Sequence, residues 1–403
     1  MANTLLTPTM VTREALRILH QKLNFVGKVN RQYDDSYAKS GAKIGDTLKI
    51  RLPNEYSVRT GRALDVQDTT ETSVDLTVAT QKGVDMKFTS VDLTMDIDDF
   101  SERILEPAMS VLAANIEYDA MSMYKDVYQE ISDVGASITL PDVLNGAKAL
   151  TDSLAPSSER CLNMNTQDNV DLVNALSGLF NPNSNLSSQY REGMIANQFV
   201  GYKEVYENTM WPIHTTGTDD GTGDYVVNGA NQTGAAVTVQ TGTGTFKKGD
   251  IVTFAGCNRV HPETKQDTGA LQRFVITADV AASATSLPIS PSIVVTGARQ
   301  NVSASPTDTG QVFKRESDNS TAIGASADYG ISMGFHKDAF AFATADLIMP
   351  GGVDFAAREQ MDGISMRIVR QYDINNDEIP ARLDVLYGYK TLRAQLACRY
   401  GFN

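Results

Sequence analysis

The chain is poor in the residues that most chemistries require. Its 403 residues include 3 cysteines, 4 histidines and 1 tryptophan. Cys161, Cys257 and Cys398 are odd in number, far apart and without CxxC spacing, which excludes a disulfide framework and a thiolate zinc site. His20, His214, His261 and His336 form no HExxH, HxH or Cys-paired pattern, so zinc and iron chemistry have no ligands. There is no GxSxG elbow. The glycines of Thr241-Gly242-Thr243-Gly244 lack the following Lys-Ser/Thr pair that would hold a phosphate, and read as a turn. Basic residues are outnumbered, 35 Lys and Arg against 49 Asp and Glu, for a formal net charge of −14. A protein that wraps nucleic acid needs a concentrated positive field, so tight wrapping is excluded while weak contact is not. No run of about 18 apolar residues occurs, and no basic stretch precedes an apolar core at the N-terminus, so the expected compartment is cytoplasm-like. No catalytic, cofactor-binding or metal-binding residues are expected.

What the chain does have is enough apolar sequence, 41%, for a core in each of two or three domains. Leu16, Leu19 and Leu23 recur at helical spacing after Thr12, a candidate N-cap, and mark a short amphipathic N-terminal helix. Its polar face carries Arg13, Arg17 and Lys22, a locally basic arm on an acidic protein. Thr47–Leu52 and Ser73–Val78 alternate with period two and pair most simply as a hairpin. The polar segment between them, with Arg59, Arg62, Asp65 and Asp68, is longer than a hairpin needs. Lacking chemistry, such a loop reads as a projecting arm ordered by a neighbouring subunit. From Asp98 onward Leu105, Met109, Leu112, Ile116, Ala120, Met123 and Val127 form one apolar stripe of a helix about 40 Å long. Pro107 either kinks it or marks its first turn.

Between Thr215 and about Arg315 helical patterning stops. Gly217, Gly221 and Gly223 with Asp219, Asp220 and Asp224 read as a flexible linker; the spacing of an EF-hand calcium loop is absent. Beyond it Ala236–Val239, Ile251–Phe254, Arg273–Ile276 and Ser292–Val295 are short strands separated by turn residues, the pattern of a small inserted β-barrel. Trp211 is placed to anchor the boundary. After the insert, Gly330–Phe335, Ile364–Val369 and Leu383–Tyr387 read as strands. Asp373, Asp377 and Glu378 could in principle form a hydrolytic carboxylate pair, but they surround Asn375-Asn376 in a turn-like sequence, where solvated carboxylates are the better reading.

Three runs carry a resemblance: Phe246-Lys247-Lys248-Gly249-Asp250-Ile251-Val252-Thr253-Phe254-Ala255-Gly256, Phe335-His336-Lys337-Asp338-Ala339-Phe340-Ala341, and Tyr372-Asp373 through Arg382-Leu383-Asp384-Val385-Leu386-Tyr387-Gly388. With the order of elements they resemble the major capsid (coat) proteins of tailed double-stranded-DNA bacteriophages, which share the α+β Hong Kong 97 fold. More narrowly, they resemble the branch typified by the coat of short-tailed Salmonella phages, in which a β-barrel domain is inserted. The resemblance implies an N-terminal arm at 1–40, an extended E-loop with flanking strands at 41–95, and a peripheral domain at 96–215 with a spine helix at 98–127. It further implies an inserted β-barrel at 216–316 and an axial domain at 317–403. The implied function is self-assembly into an icosahedral shell of hexamers and pentamers, with no catalysis and no cofactor. Implied partners are further copies of the chain, a scaffolding protein, a portal protein and weakly held packaged DNA, with no membrane. The implied location is the virion, after assembly in the host cytoplasm. Arg13, Arg17, Lys22, Arg59, Arg62, Asp65 and Asp68 are the candidates for contact between subunits. A tail or decoration subunit, or a hydrolase built on the carboxylates near Asp373, would be the alternatives.

Overall fold

The computed structural model describes residues 8–31, 47–59, 61–62, 64, 66, 71–88, 105–176, 200–314, 321–361, 364–374 and 379–403. In chain order the first elements are α1 (Pro8–Lys22), β1 (Thr47–Arg51), β2 (Ser73–Thr77), β3 (Thr80–Phe88) and α2 (Glu106–Met121). Next come β4 (Glu130–Asp133), α3 (Leu140–Asp152), β5 (Arg160–Met164), α4 (Thr166–Leu176), β6 (Glu204–Glu207) and β7 (Ile213–Thr215). A run of strands follows: β8 (Val226–Val227), β9 (Gly234–Gln240), β10 (Ile251–Val260), β11 (Asp267–Ile276), β12 (Ser286–Ile293) and β13 (Val312–Phe313). The last are β14 (Asp328–His336), β15 (Phe340–Ala345), β16 (Phe355–Met361), β17 (Ile364–Arg370), β18 (Ile379–Thr391) and β19 (Ala397–Phe402). They form two compact units, one drawn from Met1–Arg51, Ser73–Met121 and Phe340–Leu392, the other from Leu52–Thr72, Ser122–Ala339 and Arg393–Asn403.

In the first unit the long strand β18 is central. It pairs with β3 through Ile379↔Phe88 to Tyr387↔Thr80, with β17 through Arg367↔Asp384 to Arg370↔Ala381, and with β15 through Phe340↔Thr391 to Ala345↔Leu386. β16 completes the sheet beside β17. α1 packs on β16, β17 and α2. It begins at Pro8, a turn before the expected cap, because proline is preorganised for the first helical position; Thr12 lies inside the helix and is buried. The apolar stripe predicted from Leu105 to Val127 is buried at every position. The helix itself is shorter at its C-terminal end: α2 has Pro107 in its first turn, stops at Met121 and passes into a 3-10 turn, Ser122–Asp126. Asp98 and Asp99 lie outside the described residues.

The chain after α1 is fastened to α2 by one buried carboxylate. Glu117 accepts the backbone N–H groups of Phe25 and Val26, each at 3.0 Å. Beyond this turn Asn30 donates to the Phe340 carbonyl and accepts from Phe342 N–H, both at 3.1 Å, in a parallel bridge to β15.

The second unit holds two sheets. The first is mixed, in the order β4-β19-β14-β5-β6, with β7 sharing the β5 edge of β14. α3 and α4 pack against it. The second, antiparallel sheet runs β13-β10-β11-β12-β9-β8. Val227 N–H to Gly310 O at 2.8 Å, Thr309 N–H to Val227 O at 3.0 Å and Val312 N–H to Tyr225 O at 2.9 Å join its two ends, so the ladder closes on itself. Its interior is apolar, with Val237, Val252, Phe254, Phe274, Leu287 and Ile289 among the buried side chains.

The segment 317–403 is shared between the two units: β14 and β19 belong to the second and β15 to β18 to the first. The segment 96–215 is divided likewise at Met121. Alternation in sequence identifies a strand but not the strand beside it, and the 3-10 turn Lys337–Ala339 parts β14 from β15 within a single short polar step, His336-Lys337-Asp338. The supposed linker at Gly217–Asp224 is also a bonded turn: Gly221 N–H donates to Asp219 Oδ1 at 2.9 Å and Thr222 N–H to Asp220 Oδ1 at 3.0 Å. Gly221 has φ +72°, and a Cβ there would lie 2.3 Å from the Lys314 carbonyl.

Glu117→Ala removes the acceptor of two buried amides and is expected to destabilise the first unit by about 3 kcal/mol. Urea unfolding followed by circular dichroism measures it, and limited proteolysis should show new cleavage between Leu23 and Arg31.

Candidate assembly site

The structure places the candidate contact residues in two groups. Arg13 and Arg17 lie on the exposed side of α1 in the first unit. Arg17 already holds Glu14, through Nε to Oε2 at 3.0 Å and Nη2 to Oε1 at 2.5 Å, whereas Arg13 reaches Glu359 only at 3.9 Å. Exposed pairs of this kind are weak and are screened by salt, so they do not fix either guanidinium group in place. The side chain of Lys22 lies outside the described residues. Arg59 and Arg62 are exposed in the segment between β1 and β2, where Arg59 Nη1 donates to the Gly61 carbonyl. Asp65 and Asp68 lie outside the described residues.

The hairpin is in register from Thr47↔Thr77 to Arg51↔Ser73. One further bond, Leu52 N–H to Thr72 O at 2.8 Å, extends it, after which the residues from Pro53 to Arg59 enter no strand. Along this arm Tyr56, Val58, Leu64 and Val66 are 61%, 92%, 83% and 77% exposed. Scattered surface hydrophobics need no explanation, but four within eleven residues of one segment that enters no strand make an uncovered apolar stretch. Within the second unit, Arg299 Nη2 donates to Thr72 Oγ1 at 3.2 Å at the base of the arm.

Sequence reasoning missed the junction where the closed sheet joins the mixed one. His214, on β7, has its Nε2 2.9 Å from Asp250 Oδ1 and its Nδ1 3.0 Å from the Tyr124 hydroxyl. The Tyr124 and Tyr329 rings meet the imidazole edge-on at 5.7 and 5.4 Å. Asp250, at the start of β10, is fully buried, and its Oδ2 accepts Gly217 N–H and Lys247 N–H, each at 2.9 Å. The turn before β10 fits against the imidazole only because residue 249 is glycine. Gly249 has φ +104°, and a Cβ would sit 3.0 Å from His214 Cε1. His214 is thus structural, as expected, but not isolated. Its partner lies 36 positions away, and no local pattern could have paired them.

Around this carboxylate the junction is polar and bonded. Arg273, on β11, donates to the Glu130 carbonyl of β4 at 2.5 Å. Lys248 lies 3.6 Å from Asp126, and Arg259 lies 3.6 Å from Asp152. The buried ammonium of Lys314, just past β13, donates to Gly217 O at 3.1 Å, to Gly324 O at 3.2 Å and to the Asp219 carbonyl. Burial lowers the Lys314 pKa and raises that of Asp219. Trp211, near the boundary, is buried and donates from Nε1 to Asn163 Oδ1 at 2.7 Å.

Residues 1–398 match the family described as P22 coat protein, gene protein 5. The chain belongs to the P22 coat protein family. As a member it is a tailed-phage major capsid protein, of α+β Hong Kong 97-type fold, whose copies form the shell of the virion. No curated protein matches the sequence. Solved structures similar to this coat protein include one from Mycobacterium phage Che8, 12% identical, covering 94% of this chain and 91% of that one with a TM-score of 0.46. Another is the capsid of Ralstonia phage GP4, 6% identical, covering 94% and 91% with a TM-score of 0.47. A third is the bacteriophage PhiM1 mature capsid, 9% identical, covering 89% and 82% with a TM-score of 0.42.

Removing one partner of a buried charged network costs about 3–5 kcal/mol, and removing an exposed ion pair less than about 1. Asp250→Ala in the coat protein should therefore lower the thermal midpoint strongly, and Lys248→Ala hardly at all, in differential scanning calorimetry of the unassembled subunit.

Proposed function

We propose that copies of this coat protein join as hexamers and pentamers around the genome, using the arm between β1 and β2 as a principal bridge to the neighbouring copy. The observation that carries this reading is the uncovered strip of Tyr56, Val58, Leu64 and Val66 on a segment that pairs with no strand of its own chain among the described residues. Covering a valine or leucine side chain yields about 1.5–3 kcal/mol, enough in aggregate to order the arm once a second chain lies beneath it. The charges of Arg13, Arg17, Arg59 and Arg62 would then select the partner and its register.

Assembly around a scaffolding protein, with a portal at one vertex, belongs to the same reading, and family membership supports it. It places assembly in the host cytoplasm. A net charge of −14 supports weak, nonspecific contact with packaged DNA, since a strongly positive wall would retain the genome. The role is structural and without catalysis. His214 is held in the junction, His261 Nδ1 accepts Glu263 and Thr264 N–H, each at 3.2 Å, and His336 Nδ1 accepts Asp338 N–H at 3.2 Å. Of the carboxylates once considered for hydrolysis, Asp373 follows β17 and Asp377 and Glu378 lie outside the described residues.

The test is Val58→Asp combined with Leu64→Asp. The variant should keep the circular dichroism and thermal midpoint of the parent yet yield no closed particles in negative-stain microscopy with scaffolding protein present. Shells of normal size and number would reject the bridging role of the arm.

A further inference from the structure

Helix α4 is attached to the mixed sheet in an unusual way. Among its described side chains only Asp168 and Leu172 are buried, so a carboxyl group occupies one of the two positions that an amphipathic helix normally gives to apolar residues. Asp168 Oδ2 accepts from Ser332 Oγ at 2.5 Å and from Asn165 Nδ2 at 2.9 Å. Ser332, on β14, also accepts Asn165 N–H at 2.9 Å, and Asn165 Nδ2 donates again to Ile331 O at 3.3 Å. Asp168 Oδ1 is buried with no hydrogen-bond partner, and no cation pairs with the carboxyl among the described residues.

The charged and titratable residues on the elements packed against α4 are Asp142, Lys148 and Asp152 on α3 and Asp328, Tyr329 and His336 on β14, where burial holds the His336 imidazole below its ordinary pKa. Of the charges nearby, the one that acts on Asp168 is Asp171 in the same helix, and it is negative. Asn169, one residue on, bonds Glu207 Oε2 at 2.9 Å, which places another acidic residue at this end of the helix.

We propose that Asp168 is a proton-dependent latch: the neutral carboxylic acid holds the first turns of α4 on the sheet, and ionisation loosens them. Ionisation spreads a full charge over a carboxyl that has donors on Oδ2 and none on the buried Oδ1, which is the costly state of a buried carboxyl. The field at a helix N-terminus favours the anion, and Ser332 and Asn165 favour it further, but both bonds fall on Oδ2 and leave Oδ1 bare. Burial accordingly raises the Asp168 pKa to about 7, against the lowering by its two hydrogen bonds. The direction of the pH effect follows. A carboxyl whose pKa is higher in the folded than in the unfolded chain stabilises the fold most at low pH, and loses that contribution as pH rises through its folded value. α4 also presents Val170 and Val173 outward, so the latch determines how rigidly the subunit holds that apolar edge.

Hydrogen–deuterium exchange of the full-length, unassembled subunit at about pH 5.5 and about pH 8, corrected for intrinsic exchange, tests this. The expected result is opening of the peptide spanning Thr166–Leu172 on the order of tenfold more often at the higher pH, with β14 unchanged. In Asp168→Asn, which keeps size and hydrogen bonds but cannot ionise, the pH response should vanish. Equal protection of α4 at both pH values in the parent chain, parallel loosening of β14, or an Asn variant that keeps the response would each overturn the proposal. The parent comparison decides the matter even if the variant fails to fold.

Discussion

A chain that leaves one sheet to build another must come back beside the point where it left. Here that constraint is met by the antiparallel pairing of β7 with β14, Thr215↔Asp328, His214↔Tyr329 and Ile213↔Gly330. The strand that leads into the inserted sheet and the strand that leads out of it are hydrogen-bonded neighbours. About a hundred residues thus hang from one short ladder, and the Asp250 carboxylate fixes their position by gripping His214 on that ladder and Gly217 and Lys247 in the inserted part. β14 has β19 on its other edge, so the root of the insert is itself a central strand of the mixed sheet.

The same unit carries several buried charges, each handled differently. Lys314 has carbonyl oxygens around its ammonium. Arg160 donates to Pro156 O at 2.8 Å, Ala155 O at 2.5 Å and Thr151 Oγ1 at 3.1 Å, covering carbonyls beyond the end of α3. Arg399 meets Glu130, its register partner across the parallel β4–β19 pair, and both are fully buried. Buried pairs of this kind add little net stability over apolar packing but are costly to break once formed. A subunit that must present the same surfaces in every copy of a shell has use for that.

Much of the fold was legible in the sequence, and the physical reason differs from element to element. The period-two runs at Thr47–Leu52 and Ser73–Val78 are the observed hairpin, with Leu48↔Leu76 and Ile50↔Val74 in register. The stripe from Leu105 to Val127 is buried throughout because helical spacing dictates it. Strands at Ala236–Val239, Ile251–Phe254 and Arg273–Ile276 lie within β9, β10 and β11, but the fourth is displaced: Pro288 and Pro291 disguise β12, whose buried residues are Leu287, Ile289 and Ile293. β3 was not foreseen, since Thr80–Phe88 has a weak apolar pattern and owes its strand to β18. Choice of partner is a property of the whole chain, which is why the division into units and the His214–Asp250 contact could not be read. Of the proposed contact residues, the sequence indicated where polar arms occur; the exposed apolar strip between Tyr56 and Val66 became apparent only when burial was known.

Pairing of β7 with β14 and the grip of the Asp250 carboxylate should make the inserted sheet and the mixed sheet one cooperative body. Native-state hydrogen exchange of the full-length subunit in rising denaturant measures this directly, by comparing Val252 and Phe274 of the insert with Met333 and Tyr400 of the mixed sheet. These amides should converge on one opening free energy and one denaturant slope. Exchange of the insert amides through a separate opening of much lower free energy, with Met333 and Tyr400 still protected, would contradict this.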